Sequence, residues 1–181
     1  EEWNNRQKTL TEGAFADIFR EQLSGAEILT EVYYLDPATG QWAENDILIL
    51  LDDVMLQVEV KAGIGAMHSP ATNFKNHVRA IQNLVINAYR QTKRFLEYLN
   101  SSAEAPLFEL RDGEYIEVRR IRLSDYRFVM PIGLTVESFS PFSAMCKILP
   151  EVVPILGKHP FISMSIDDLF VLNRFLPTVG E

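Results

Sequence analysis

The sequence predicts an α/β fold: a helix, a meander of three strands, a long second helix, then further strands and a closing helix. Three observations carry that expectation. Residues 45–61 read as a β-hairpin, two apolar runs around the acidic turn Asp52-Asp53. Residues 77–100 repeat Val78, Ile81, Val85, Ala88, Thr92, Phe95 and Leu99 at alternating spacings of three and four, the buried stripe of an amphipathic helix. Strand-like segments also follow one another directly after the first helix, which describes a meander and not an alternating βαβ pattern.

The first helix is expected over residues 7–23. Leu10, Ala14 and Ile18, with Phe15, Phe19 and Leu23, keep helical spacing; Thr11 suits its start and Ser24-Gly25 its stop. Residues 27–35 contain Ile28, Leu29, Val32, Tyr33 and Tyr34, shapes that pack well on a pleated surface, so they read as strand. Asp36-Pro37-Ala38-Thr39-Gly40 is a turn. In the hairpin, Asp52-Asp53 suits the turn because aspartate tolerates its backbone and bonds to it locally. With Leu51 facing Val54, Asp46 lies directly opposite Glu59, their Cβ atoms roughly 4.5–5.5 Å apart. Lys61, two residues past Glu59, joins the same face. Ile47, Ile49, Leu51, Val54, Leu56, Val58 and Val60 make the other face, which is aliphatic throughout and therefore core.

Residues 62–76 read as a loop punctuated by Gly63, Gly65, Ser69, Pro70, Thr72 and Asn73, and His68 within it reads as an exposed loop histidine. The long helix ends at Asn100-Ser101-Ser102. From Lys75 to Arg94 the chain has five basic residues, Lys75, Arg79, Arg90, Lys93 and Arg94, and no acid. They form either a surface for backbone phosphates or an ordinary solvated helix face. Residues 101–114 read as a loop with Pro106 and Asp112-Gly113. Residues 115–123 and 127–136 are strands; the second is apolar enough to be buried on both faces, but Pro131 argues for an edge or a break. Arg119, Arg120 and Arg122 either extend a basic surface or pair with Glu114 and Glu117. Residues 139–149 read as a short helix with Cys146 in the core, and 154–160 as a proline-flanked loop containing His159. Ser165 caps a last helix that runs to about Phe175.

At 181 residues the chain is expected to be one domain over 1–181; its start at Glu1 fits a domain excised from a longer chain. No apolar run is long enough for a membrane span, and no signal-peptide pattern is present. The single cysteine excludes an internal disulfide and a cysteine-rich zinc site, and it fits a reducing cytoplasm. A net charge of −8 argues against general affinity for a polyanion. The distribution argues less strongly: residues 1–60 hold three basic and thirteen acidic side chains, and residues 61–122 hold ten and six. The local field, more than the total, governs binding of a polyanion.

Asp46, Glu59 and Lys61 carry the chemistry. Two carboxylates held this close repel, and a cation relieves the repulsion. Mg²⁺ takes oxygen ligands, usually one or two carboxylates with water and substrate phosphate. A lysine beside it orients or deprotonates a water, or meets the charge of a phosphorane-like transition state. The set is a minimal kit for metal-dependent phosphodiester hydrolysis. The plainer alternative is a solvated strand face, where charged side chains are common.

These residues resemble the PD-(D/E)xK nuclease superfamily, whose fold is restriction-endonuclease-like. The carriers are Val32-Tyr33-Tyr34, Glu44-x-Asp46, Val58-Glu59-Val60-Lys61-Ala62-Gly63, and a following helix with Ala88-x-x-Gln91. The neighbourhood is that of bacterial nuclease-related domains of the RecB-like, Mrr-like and NERD groups. It covers roughly residues 8–100 and is looser beyond. The resemblance implies an α-β-β-β-α-β core with a mixed central sheet. It implies Mg²⁺ or Mn²⁺ held by Asp46, Glu59 and the Val60 carbonyl, with Lys61 positioning or activating water. Glu12, in Leu10-Thr11-Glu12, matches a first-helix glutamate that approaches the metal, with Asp17 as rival. Gln91 matches a helix glutamine that points at the site, with Gln82 as alternative. The family tyrosine four residues on is Phe95 here, and Asn45 stands where proline often precedes the aspartate. The implied substrate is nucleic acid, DNA first, met by Lys75, Arg79, Arg90, Lys93 and Arg94; a homodimer or a protein partner fits as well. The rival function is a catalytically silent module of the same fold that binds nucleic acid or a protein.

Overall fold

A computed structural model describes residues 2–61, 73–136 and 144–175. Helix α1 (Glu2–Gln22) leads into strands β1 (Glu27–Leu35), β2 (Trp42–Leu51) and β3 (Val54–Lys61). Helix α2 (Phe74–Asn100) follows, then β4 (Ala105–Arg111), β5 (Glu114–Ile121), β6 (Phe128–Thr135), β7 (Ile162–Ser165) and helix α3 (Ile166–Phe175). The seven strands form one sheet in the order β5-β4-β1-β2-β3-β6-β7. Pairings from β5 to β3 are antiparallel, whereas β6 runs parallel to β3 and β7 parallel to β6. The fold is therefore α/β with a mixed sheet. Its α-β-β-β-α-β core is completed by β6, and β4–β5 is a hairpin added at the β1 edge.

Helices cover both faces of the sheet. Val85, Ala88, Tyr89, Phe95, Leu96 and Leu99 of α2 pack with Leu48, Leu50, Met55 and Val129. Phe15, Ala16 and Phe19 of α1 pack on the other face with Ile47, Ile49, Val58, Val60 and Ile132. The hairpin register is as expected, with Leu51 opposite Val54. Its supposed polar face, however, is core as well, because α2 lies on it.

Several elements differ from expectation. Helix α1 starts well before Thr11, and its buried line is Phe15, Ala16 and Phe19, while Leu10 is 67% exposed. Residues 12, 15, 16 and 19 fall on one helical face, so Glu12 shares the buried side. Part of the expected loop 101–114 is strand β4. Asp112-Gly113 is its hairpin turn, with both residues at positive φ, the backbone that an Asp-Gly turn supplies. Pro131 does not break β6; β7 pairs only from Ile132 onward, so the missing N–H removes no bond on that side. Strand β7 is an addition to the expected elements. Ser165 then caps α3 as expected: its N–H and Oγ both donate to Asp168 Oδ2, and the Asp168 N–H donates back to Oγ. The short helix expected over 139–149 is a 3₁₀ turn, Ala144–Ile148, with Cys146 buried; residues 137–143 and the 62–72 loop with His68 lie outside the described residues. Helix α2 begins earlier than residue 77, capped by the Asn73 side chain on the Asn76 N–H at 3.2 Å. Among the described residues no helix is long and apolar enough to cross a membrane.

Candidate metal centre

The site forms where two strand ladders fail together. The β1–β2 ladder pairs Thr30 with Ile47 and Val32 with Asn45 but skips Glu31 and Asp46. The β2–β3 ladder stops at Ile47–Val58. Asp46 thus belongs to neither ladder, and the expected ladder pair of Asp46 with Glu59 does not form. Instead the Val60 N–H donates to Asp46 Oδ2 at 2.7 Å, so the carboxylate takes up a backbone donor past the last pair. Glu31 sits in the left-handed region at φ +52°, where an L side chain is strained.

That irregularity turns side chains over without changing the register. Ile28, Ile47 and Ile49 belong to the α1 side, and by strict alternation Val32, Tyr34 and Ala43 would follow them. All three belong to the α2 side instead. The in–out pattern of both strands therefore inverts at Glu31 and Asp46. Glu44, next to Ala43, is sent to the α1 side, where Glu12 lies on the buried face of α1. Glu12, Glu44 and Asp46 each place a carboxylate oxygen within 4.8 Å of the others. Glu12 and Asp46 are 2% and 3% exposed. The rival Asp17 points away, paired with Arg20 at 2.6 Å on the surface.

Glu59 and Lys61 lie on the α2 side of β3, as their spacing predicts. Lys61 Nζ donates to Glu59 Oε1 at 2.7 Å. Glu59 is 2% exposed, and its carboxyl is pushed up to about 8. Burial is the main cause and the neighbouring Asp46 adds to it, against the pull of Lys61. Asp46 therefore stands between two groups, Glu59 with Lys61 and Glu12 with Glu44. The donors are all carboxylate oxygens, with no thiolate or imidazole among them, which suits a hard divalent cation such as Mg²⁺ or Mn²⁺.

Sequence reasoning did not assign Glu44. It stands two before Asp46, and simple alternation would put it on the α2 face; only the inversion brings it to Glu12.

Helix α2 passes over this part of the sheet. Gly133 pairs with Glu59, and a Cβ there would lie 3.0 Å from Ala88 Cβ. Gln91 is half-buried one turn beyond Ala88, while Gln82 is exposed. Phe95 is core, edge-on to Tyr34 with ring centroids 5.2 Å apart. Lys75, Arg79 and Arg90 are exposed and form no ion pair among the described residues, whereas Lys93 lies 3.8 Å from Glu97. Arg94 donates through Nε to the buried Tyr34 hydroxyl at 3.0 Å. Tyr34 is pushed up to about 12, chiefly by burial. At 3.6 residues per turn, positions 75, 79, 90 and 94 fall within roughly 100° of the helix surface. Arg119, Arg120 and Arg122 pair with Glu27, Glu117 and Glu104, so they are not an uncompensated basic surface.

Fold and site together define an α/β protein with an α-β-β-β-α-β core, a mixed seven-stranded sheet flanked by helices, and a buried carboxylate cluster beside a lysine. No protein-family model and no curated protein matches the chain. Among solved structures it is similar to the small subunit (R.BspD6I2) of the heterodimeric restriction endonuclease R.BspD6I, with a TM-score of 0.40 and 12% identity. The match covers 90% of this chain and 66% of that subunit. The fold class rests on the strand order and ladder directions.

Proposed function

We propose that this chain is a metal-dependent nuclease of the PD-(D/E)xK type, acting on DNA. The observation that supports it is the position of Asp46, outside both ladders and between a Glu59–Lys61 pair and a Glu12–Glu44 pair. Asp46, Glu59 and the Val60 carbonyl would hold Mg²⁺ or Mn²⁺, and Glu12 with Glu44 extends the donor set on the other side of Asp46. Bound there, the metal supplies Lewis-acid stabilisation of the phosphoryl oxygens and lowers the pKa of a bound water.

The side chains perform the rest. Hydrolysis joins a water oxygen to phosphorus, breaks one phosphorus–ester bond and releases a proton. Lys61, fixed by Glu59, points an N–H at the water or at a phosphate oxygen and so orients the attack. Gln91, on the helix above, orients Lys61 or the phosphate. Lys75, Arg79, Arg90 and Arg94 meet backbone phosphates, with Lys93 shared between that surface and Glu97. We further propose that residues 1–181 act as one cytoplasmic domain, alone, as a homodimer or beside a protein partner.

The test is cleavage of linear, circular and single-stranded DNA and of RNA, with Mg²⁺, Mn²⁺ or EDTA, by wild type and Lys61→Ala. Metal-dependent cutting that falls at least ~100-fold in the variant is expected, in line with losing a charge-stabilising donor. No cutting by folded wild type on any substrate would favour the silent binding module.

A further inference from the structure

Two buried amides beside the carboxylates have no hydrogen-bond partner among the described residues. Gln57 is fully buried, and neither Oε1 nor Nε2 is hydrogen-bonded; Asn45, 1% exposed, has both side-chain atoms in the same condition. Leaving a buried amide unpaired is destabilising, because the water it gives up is not replaced, so apolar residues would serve both positions better if packing were the only demand. Gln57 sits between apolar neighbours: Met55 precedes it on the same face and Leu48 is its ladder partner, both core residues.

Their placement supplies a reason. Gln57 lies two residues before Glu59 on the α2 face. Asn45 directly precedes Asp46 and pairs with Val32, a residue of the α2-side core, so it shares that face. The two amides thus flank the Asp46–Glu59 site on its α2 side, one on each strand. Ser163 Oγ is likewise buried and unbonded among the described residues, but it lies across Gly133 from Glu59, and Phe161 and Ala88 fill the space over that glycine.

We propose that Gln57 and Asn45 are positioning residues for a hydrated divalent cation, their amides completing their hydrogen bonds only when the site is loaded. The inference rests on the metal-centre reading above. Mg²⁺ dehydrates reluctantly and keeps several waters. Such waters donate to amide oxygens, and amide N–H groups hold carboxylate oxygens in place. Groups of this kind outside the ligand set are worth about 10- to 100-fold in metal affinity. An apolar ligand would leave both amides as they are.

The experiment is calorimetric titration of the whole chain with Mn²⁺, wild type against Gln57→Met, Gln57→Asn and Asn45→Leu, together with the melting temperature of each without metal. Gln57→Met keeps length and loses only the amide. It should melt no lower than wild type without metal, yet bind Mn²⁺ about 10- to 100-fold more weakly. Gln57→Asn, which keeps an amide, should fall between, and Asn45→Leu should repeat the loss from the other strand. Wild type that binds Mn²⁺ no better than Gln57→Met would overturn this inference alone. So would a marked drop in the metal-free melting temperature of Gln57→Met, which would make the amide a structural group. Wild type that binds no Mn²⁺ at all would overturn the metal-centre reading itself.

Discussion

At the scale of the residue, Glu59 gathers the electrostatics of the site. It is buried, next to Asp46 and tied to Lys61, and the first two effects outweigh the third, so its carboxyl holds a proton up to about pH 8. A carboxyl that binds its proton more tightly in the folded than in the unfolded chain favours folding on the acid side. That contribution is complete below about 4.5 and is lost as pH rises through about 8. The metal-free protein should therefore melt lower as pH is raised across that window. Glu59→Gln, which cannot ionise, should lack this part of the decline and melt several degrees higher at the alkaline end. Each pKa unit is worth about 1.4 kcal/mol. Melting curves at about pH 5, 7 and 9 decide it, and identical slopes for the two proteins would refute it. His159 works in the opposite sense: burial, with Lys158 nearby, lowers its pKa. Its contribution is present above about 6.5 and is lost in acid, so it overlaps the acid part of the Glu59 window, but it is common to wild type and Glu59→Gln and cancels in their comparison.

At the scale of the element, the closeness of α2 to the sheet is set by one glycine. A Cβ on Gly133 would lie 2.7 Å from Phe161 Cζ and 3.0 Å from Ala88 Cβ. Neither neighbour has room to give, since Phe161 and Ala88 are both buried. Gly133→Ala should therefore lift α2 from the strand beside Glu59 and cost about 1–3 kcal/mol, the usual cost of overpacking. Adding Ala88→Gly should recover part of that loss despite the poorer helix former. Urea unfolding of the single and double variants measures both, and a single variant as stable as wild type would show that the helix yields freely. The strand break has a similarly local origin. A left-handed Glu31 and an Asp46 released from its ladders invert two strands at once, as irregularities next to sites commonly re-aim side chains.

At the scale of the whole molecule, the proposed function would have a net negative protein meet a polyanion through one helix. Lys75, Arg79 and Arg90 stand exposed along α2 without an ion pair among the described residues, while the arginines of β5 and its C-terminal flank are paired with glutamates. Reversing two charges, Arg79→Glu with Arg90→Glu, should weaken DNA binding uniformly across sequences. The plot of log affinity against log salt should become shallower by about two, since each phosphate that a cation neutralises adds about 0.9 to the slope. Metal affinity should not change, since both side chains lie on the solvent face of the helix. Unchanged DNA affinity and slope would place the nucleic-acid surface elsewhere.

The sequence by itself determined the local parts. Apolar periodicity marked α2, the Asp52-Asp53 turn set the β2–β3 register, and the spacing of Glu59 and Lys61 put an acid and an amine on one face. These are short-range consequences of bond geometry, readable wherever side chains alternate or wind regularly. Tertiary structure alone decided which carboxylates gather around Asp46 in one cluster. Glu12 joined it because α1 buries the Phe15–Phe19 face and not the Leu10 face, and Glu44 because the strands invert at Glu31. The orphan amides of Asn45 and Gln57 had no signature, since an amide in a strand says nothing until every neighbour's hydrogen bonds are known. Strand β7, four residues long, and its parallel pairing with β6 were also invisible. They depend on contacts between segments distant in the chain, which no local pattern encodes.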